Sequence, residues 1–133
     1  TPDALKTCLL NLREQFPNKK ITVLFGCGGN RDQTKRAIMA SIAEKYSSFV
    51  YITNDNPRNE DEDMIIENIK EGFNKDNYTV IKDRKKALET IFKTYKNKII
   101  VILGKGRDDY QIIGDEKNYH SDVDIVNNFL DEN

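Results

Sequence analysis

The chain has 133 residues, with 21 Lys or Arg, 22 Asp or Glu, a formal net charge of −1, two Cys and one His. These counts argue against a broad nucleic-acid-binding face, a disulfide scaffold and a His-rich metal site, and no apolar run approaches the roughly 20 residues of a membrane span. We therefore expect one soluble, cytoplasmic and monomeric domain over residues 1–133, without nucleic-acid or membrane partners.

The first third of the chain predicts a helix, a strand and a second helix. Thr1 is placed to cap the first helix, and Pro2 suits its first position. Residues 21–25 form an apolar, β-branched run, which is typical of a buried strand. The predicted buried stripe of the second helix consists of Ile38, Ile42 and Tyr46, with Ala37, Met39 and Ala43 nearby.

The middle of the chain repeats this alternation. Residues 49–53 predict a second strand and residues 78–81 a third. Between them, Asn59 and Glu62 have the spacing of a capping box at the start of a helix. The apolar residues that this helix is predicted to turn inward are Met64, Ile65, Ile69 and Phe73.

The last third predicts two more helices around the strongest strand. Asp83 is placed to cap one helix, and Ser121 with Asp124 to cap the other. Residues 98–103 form the strongest strand, and residues 110–113 a short one. The residues predicted to face the core are Ala87, Leu88, Ile91, Phe92 and Tyr95 in the first of these helices and Val123, Val126 and Leu130 in the second.

Strands that alternate with single helices imply βαβ crossovers. The predicted fold class is therefore α/β, a doubly wound, mostly parallel sheet flanked by helices. Ligands of such sheets bind outside the carboxyl ends of the strands. Three loops leave the predicted strands at that edge, namely residues 26–36, 54–59 and 104–111, and they form the candidate site.

The first of these loops is rich in glycine and leads into a helix, a combination that suits an anion. It matches neither common fingerprint, because Arg31 stands where G-x-G-x-x-G needs its third Gly and no Gly-Lys-Ser/Thr follows. A tight turn with solvated basic side chains is an equally good interpretation. Cys27 in this loop is interpreted as a small strand-end residue and not as a nucleophile, since no His lies nearby in the sequence.

The second loop is held rigid by Pro57, which fixes its own φ and restrains Asn56. Asn56 offers an amide and Arg58 a fork that suits a carboxylate. The alternative is an ordinary turn whose side chains bond their own backbone. The acidic run at residues 60–63 admits a cation site, but it favours the simpler role of complementing a helix dipole.

The third loop combines glycines with charges of both signs, as a zwitterionic ligand requires, although a solvated loop explains it equally well. Two further features are interpreted as structural or solvated. His120 has no predicted catalytic role, and the basic stretch 82–86 is predicted to be a solvated helix start.

Taken together, these motifs resemble the C-terminal domain of the Mur ligases, in particular of the members that add diaminopimelate in peptidoglycan synthesis. The resemblance covers essentially the whole chain in order and spacing. The matching segments are Thr1–Leu5, Phe25–Asp32 with Lys35 and Arg36, Asp55–Arg58, Asp83–Arg84 with Ala87, and Gly104–Gly106 with Asp109–Gln111.

The resemblance implies the C-terminal, amino-acid-binding domain of a three-domain, ATP-dependent ligase. In such a ligase ATP phosphorylates the D-glutamate carboxylate of UDP-N-acetylmuramoyl-L-alanyl-D-glutamate, and the amine of the diamino acid attacks the acyl phosphate. The resemblance further implies that ATP and Mg²⁺ are bound mainly by a central domain that is absent from this chain. We therefore expect no catalytic residue here and no turnover by this domain alone.

The family's site residues carry over to matching positions of this chain. By resemblance, Arg31 holds a carboxylate of the amino acid. Asn56 and Arg58 hold its distal end, where diaminopimelate has a second carboxylate and lysine has none. This selects diaminopimelate, or an analogue of the same shape, as the expected diamino acid.

The remaining carry-over concerns the third loop and the start of the second helix. By resemblance, Gly104 and Asp108 contact the distal ammonium, and Lys35 and Arg36 face the nucleotide phosphates. The chain departs from the family where Arg107 and Asp108 replace the usual His-Glu. Asp keeps the charge but is one methylene shorter, and Arg107 adds a cation.

Two other functions are open to a chain of this pattern. A stand-alone, Rossmann-like nucleotide- or phosphate-binding module would use the glycines of the first and third loops, although the missing fingerprint counts against it. A receiver-like signalling domain would use Asp55 as phosphoacceptor. That function needs an acidic cluster after the first strand, where residues 26–29 are Gly-Cys-Gly-Gly.

Overall fold

The computed structural model describes residues 1–29, 32–94, 96–103, 110–113, 116–119 and 122–132. Within these ranges the chain forms five helices and six strands. In chain order they are α1 (Pro2–Gln15), β1 (Lys20–Phe25), α2 (Thr34–Tyr46), β2 (Phe49–Ile52), α3 (Glu62–Lys70), β3 (Tyr78–Val80), α4 (Arg84–Phe92), β4 (Lys98–Ile102), β5 (Tyr110–Ile113), β6 (Glu116–Tyr119) and α5 (Asp122–Glu132). None of the described helices is long and apolar enough to cross a bilayer.

Four strands form one parallel sheet in the order β3-β2-β1-β4, which confirms the predicted α/β class. β1 is central, with Val23 aligned to Val50 of β2 on one side and to Val101 of β4 on the other. The predicted strand at 110–113 is present as β5, and it pairs antiparallel with β6, which the sequence pattern did not indicate. The strand order reverses between β1 and β4, so a crevice for ligands is expected where these two strands end.

Both faces of the sheet are covered by helices. Ile21, Val23 and Phe25 of β1 belong to one core cluster with side chains of α1, α2 and α3. Leu24 belongs to a second cluster, with side chains of α4 and α5. Because successive residues of a strand point to opposite faces, this double burial explains why β1 is apolar at nearly every position.

Two of the predicted helix caps are confirmed and one is wrong. The Thr1 hydroxyl accepts a hydrogen bond from the Ala4 amide at 3.2 Å, and Asp83 accepts one from the Lys86 amide at 3.0 Å. α3, however, is capped by Asp61 and not by Asn59. The Glu60 amide donates to the carbonyl of Pro57 at 3.0 Å and so places Asn59 inside a turn.

Some predicted core positions are exposed. α2 lies between α1 and α3, and its buried residues are Arg36, Ala40 and Ala43. The packing against the end of α3 is close, because a Cβ on Gly72 would lie 2.1 Å from the carbonyl oxygen of Ala37. Only small residues fit such a contact, so the larger ones are rotated outward. The predicted core residues that are exposed are Ile38, Met64, Val123 and Leu130. The predicted core residue Tyr95 and the predicted helix cap Ser121 lie outside the described residues.

Candidate functional site

The loops that follow β1 and β2 are bound directly to each other. The amide of Gly29 donates to the carbonyl of Asn56 at 2.7 Å. A Cβ on Gly29 would lie 1.7 Å from the Pro57 carbonyl oxygen, and one on Gly26 would lie 2.2 Å from that of Thr53. These two glycines are therefore required by the approach of one loop to the other, independently of any ligand.

Arg58 lies where the two loops meet. Its φ of 53° is in the left-handed region, which a residue with a side chain rarely adopts. The half-buried side chain donates through Nη1 to the carbonyls of Gly29, at 3.1 Å, and Asn56, at 3.3 Å. Among the described residues, no carboxylate forms an ion pair with Arg58. Its guanidinium is thus held in place by the backbone, and its charge has no acidic partner in the part of the chain that the structure describes.

Arg36, at the start of α2, is buried inside the domain. Its side chain is only 1% exposed, and both terminal nitrogens donate hydrogen bonds to the carboxylate of Glu60, at 2.6 and 2.8 Å. The same nitrogens donate to the side-chain oxygen of Asn68, at 2.9 Å, and to the carbonyl of Gly28, at 3.1 Å. The hydrogen bonds to Glu60 raise the pKa of Arg36 further. The charge of Arg36 is therefore paired inside the domain, and the role predicted for it toward nucleotide phosphates stays a prediction.

The acidic run at residues 60–63 is divided among separate structural contacts. Each carboxylate has its own role: Glu60 binds Arg36, Asp61 caps α3, Glu62 accepts from Asn54 at 2.8 Å, and Asp63 pairs with Lys82. Among the described residues, no group of three or more His, Cys, Asp or Glu side chains is arranged to hold a metal ion. Asp61, Glu62 and Asp63 lie at the start of α3, where the helix-dipole interpretation expects acidic residues.

A second buried arginine belongs to α4, which packs on the opposite face of the sheet from α2. Arg84 binds the Asp122 carboxylate through Nε and Nη2 at 2.9 and 2.8 Å. It also donates to the carbonyls of Leu103, at 2.6 Å, and Asn54, at 3.3 Å. The side chains of Arg84 and Asp122 are 0% and 5% exposed. This interaction ties the ends of β2 and β4 to the start of α5.

The prediction that stretch 82–86 is a solvated helix start is therefore wrong for Arg84. Its partner was not predicted, because Asp122 lies far along the chain and a basic run favours exposure. Asp83–Arg84 is one of the matching segments named above, but no signal in the sequence linked it to Asp122.

Cys27 follows β1 at the floor of the first loop. Burial raises the pKa of its thiol from 9.0 to about 11, although the nearby Arg36 acts in the opposite direction. The thiol is accordingly protonated at neutral pH, and a protonated thiol is a poor nucleophile. This agrees with the interpretation of Cys27 as a small strand-end residue.

The described residues include four of the seven predicted site positions. Asn56 and Arg58 lie together in the loop after β2, Lys35 is exposed in the first turn of α2, and Arg36 is buried beneath the first loop. The roles predicted for Asn56, Arg58 and Lys35 stay predictions. The other predicted site residues, which lie outside the described residues, are Arg31, Gly104 and Asp108.

Comparisons with known proteins agree in sequence and in structure. Residues 1–106 match the family described as "Mur ligase, glutamate ligase domain". UDP-N-acetylmuramoyl-L-alanyl-D-glutamate–2,6-diaminopimelate ligase of Clostridioides difficile is 44% identical over an alignment of 133 positions, which covers 98% of this chain and 27% of that protein. The ligase of the same name from Buchnera aphidicola subsp. Acyrthosiphon pisum is 48% identical over 135 residues, covering 100% of this chain and 27% of that protein.

A solved structure of a ligase with this name superposes on the chain with a TM-score of 0.91 and 35% identity. The superposition covers 99% of this chain and 28% of that one, so the chain spans about a quarter of the length of its relatives. The family match over residues 1–106, the level of identity and the common fold lead to one conclusion: the chain belongs to the Mur ligase glutamate-ligase domain family.

Proposed function

We propose that this chain is the amino-acid-binding domain of a ligase that adds diaminopimelate to UDP-N-acetylmuramoyl-L-alanyl-D-glutamate. We take the substrates from the names of the relatives. The diamino acid is assigned to the loops at the carboxyl ends of the parallel strands. The observation that carries the proposal is the position of Arg58. It is a half-buried arginine at the carboxyl edge of a parallel sheet, with no acidic partner among the described residues.

The geometry of Arg58 suits a ligand carboxylate. A guanidinium has five N–H donors, and the two contacts with carbonyls use only Nη1. Nη2 and Nε, which donate to none of the described residues, are free to bind a carboxylate with two parallel hydrogen bonds. Because the backbone already fixes the guanidinium, little side-chain freedom is lost on binding.

This role explains how a ligand with a second carboxylate is selected. Diaminopimelate carries a carboxylate at its distal end, which Arg58 binds together with the amide of Asn56. Lysine lacks that group and would leave a partly desolvated cation unpaired. The same proposal keeps Arg31 for the other carboxylate and Gly104 with Asp108 for the distal ammonium, so that the reacting amine is held in one orientation.

We assign activation of the acceptor carboxylate by ATP and Mg²⁺ to parts of the ligase other than this chain. The described residues offer no cluster for a metal ion, and Arg36 is already paired with Glu60. Lys35, exposed at the start of α2, is the one described residue that we keep as a candidate contact to the nucleotide. We accordingly expect weak binding of diaminopimelate by this chain and no hydrolysis of ATP.

Titration calorimetry of the chain with meso-diaminopimelate and with L-lysine tests this proposal. We expect diaminopimelate to bind more tightly, and Arg58→Ala to weaken its binding by about tenfold or more, the effect of losing a hydrogen bond to a charged group. Lysine binding should change little, so that the variant loses its preference between the two ligands.

Arg13→Ala is the matched control. Arg13 is also a half-buried arginine that donates through Nη1 to two carbonyls, those of Pro17 and Lys19, but it lies near the amino end of β1. Its replacement should leave both affinities unchanged. Equal binding of diaminopimelate by the unaltered chain and Arg58→Ala would remove Arg58 from the site.

A further inference from the structure

We propose that the Arg36–Glu60 ion pair is a positioning device, which holds the two loops so that the Arg58 guanidinium meets the distal carboxylate of the diamino acid. The inference rests on the proposed function, because it concerns the same ligand. Neither Arg36 nor Glu60 touches the ligand in this scheme. Arg36 is thereby moved from the expected nucleotide contact to a role beneath the amino-acid site.

The connections on both sides of the ion pair support this role. Arg36 donates to the carbonyl of Gly28, which precedes the Gly29 that binds Asn56 and Arg58. Glu60 follows Arg58 by two residues, and its amide donates to the Pro57 carbonyl at 3.0 Å. The ion pair therefore joins the two loops through Gly28 and Glu60, while the hydrogen bonds of Gly29 join them through Asn56 and Arg58.

The burial of Arg36 indicates that the pair serves geometry more than stability. Replacing buried ion pairs by apolar residues is often neutral or stabilising, so such a pair is weak evidence for stability. Arg36 also leaves a buried Nε without a hydrogen-bond partner among the described residues, which is a further cost. A bidentate contact between a planar guanidinium and a carboxylate does, however, fix both the distance and the relative orientation of the two groups.

In this proposal the ion pair helps to hold the left-handed backbone conformation of Arg58. A φ of 53° at a residue with a side chain is retained only when the surroundings enforce it. The enforcing contacts are the Gly29 bonds on one side and the turn from Pro57 to Glu60 on the other. If the Glu60 carboxylate were not anchored by Arg36, that turn could relax and carry the Arg58 guanidinium away from its position.

Two variants of the pair, examined by calorimetry and by amide NMR, test the inference. Glu60→Gln keeps the size of the side chain and removes its charge, and Arg36→Lys keeps the charge and removes the fork. We expect each to weaken meso-diaminopimelate binding about tenfold and to weaken L-lysine binding less. The amide resonances of Gly29 and Arg58 should shift in the ligand-free chain. A general loss of stability would instead lower both affinities by the same factor.

Glu67→Gln is the matched control, because it breaks the exposed ion pair between Glu67 and Lys70 in α3. It should change neither affinity nor the two resonances. If the unaltered chain binds no diaminopimelate, the proposed function fails and this inference with it. If the chain binds it and Arg58→Ala abolishes binding, but both variants of the pair bind like the unaltered chain, only the inference fails. A variant that does not fold is set aside, and the other decides.

Discussion

Arg58 and Arg84 lie at the same edge of the sheet, and their surroundings differ in one decisive respect. Arg84 is fully buried, and its guanidinium is shared among the Asp122 carboxylate and two carbonyls. Arg58 is half-buried and donates to carbonyls alone among the described residues. A guanidinium that has its own carboxylate is part of the architecture, whereas one that the backbone positions without a carboxylate is available to a ligand.

The residue type alone therefore does not identify a site residue. Arg36, Arg58 and Arg84 all belong to motifs that the sequence analysis singled out, and two of the three are internal to the fold. What distinguishes Arg58 is that no carboxylate of the described ranges pairs with its charge.

Replacement of Arg84 should have the largest effect on stability. Arg84→Met removes the guanidinium that binds the buried Asp122 carboxylate, and removal of one partner of a buried pair costs about 3–5 kcal/mol. Chemical denaturation followed by circular dichroism measures this loss. The double variant Arg84→Met with Asp122→Leu should recover part of it, because both members of the ion pair are then apolar.

Asp63→Asn serves as the control for Arg84→Met, since it breaks an exposed ion pair with Lys82 and should have a much smaller effect on stability. If Arg84→Met were no more destabilising than Arg58→Ala, the distinction between an internal and an available arginine would be lost.

Gly29→Ala should have an intermediate effect. The added Cβ would meet the Pro57 carbonyl oxygen at 1.7 Å, so the two loops must separate. Overpacking of this kind costs about 1–3 kcal/mol, and the separation should also weaken diaminopimelate binding, because Arg58 is held by the Gly29 carbonyl. Asn59→Ala, an exposed replacement in the same pair of loops, should change stability by no more than about 0.5 kcal/mol. Full stability of Gly29→Ala would contradict the close contact.

The smallest expected difference is between two replacements of Arg58 itself. Gly adopts a φ of 53° without a steric penalty, so Arg58→Gly should be more stable than Arg58→Ala by about 1 kcal/mol. Neither variant should prefer diaminopimelate over lysine. The same order of Gly over Ala is expected at Asn97, which has a φ of 61°. Equal stability of the two Arg58 variants would show that the backbone there is relaxed.

Much of the fold could be predicted because its signals are local. The strand at β1 was evident from an uninterrupted apolar run, and the caps Thr1 and Asp83 from single residues followed by helical periodicity. The cap of α3 was misplaced because the turn at Arg58 depends on contacts with Gly29, which no local pattern records. Ile38 was misassigned because α2 packs closely between two helices, where small residues replace the large ones that periodicity favours.

The candidate site was predicted less completely, for a related reason. Sequence motifs identified the loop with Asn56 and Arg58, and the strand pattern placed it at the correct edge of the sheet. The same motifs could not separate Arg36 and Arg84 from Arg58, because the distinction depends on Glu60 and Asp122, which reach these arginines only in the folded chain.

The strand order has a consequence for how the chain is made. β1 is completed on one side by β2, which follows it closely, and on the other by β4, which is synthesised much later. Until residues 98–102 have emerged, one edge of an almost wholly apolar strand has no partner, and such edges promote aggregation of nascent chains. Closing a parallel pair over this separation is also slow. The central strand β1, which leads into the first loop, therefore gains its second neighbouring strand only late in biosynthesis.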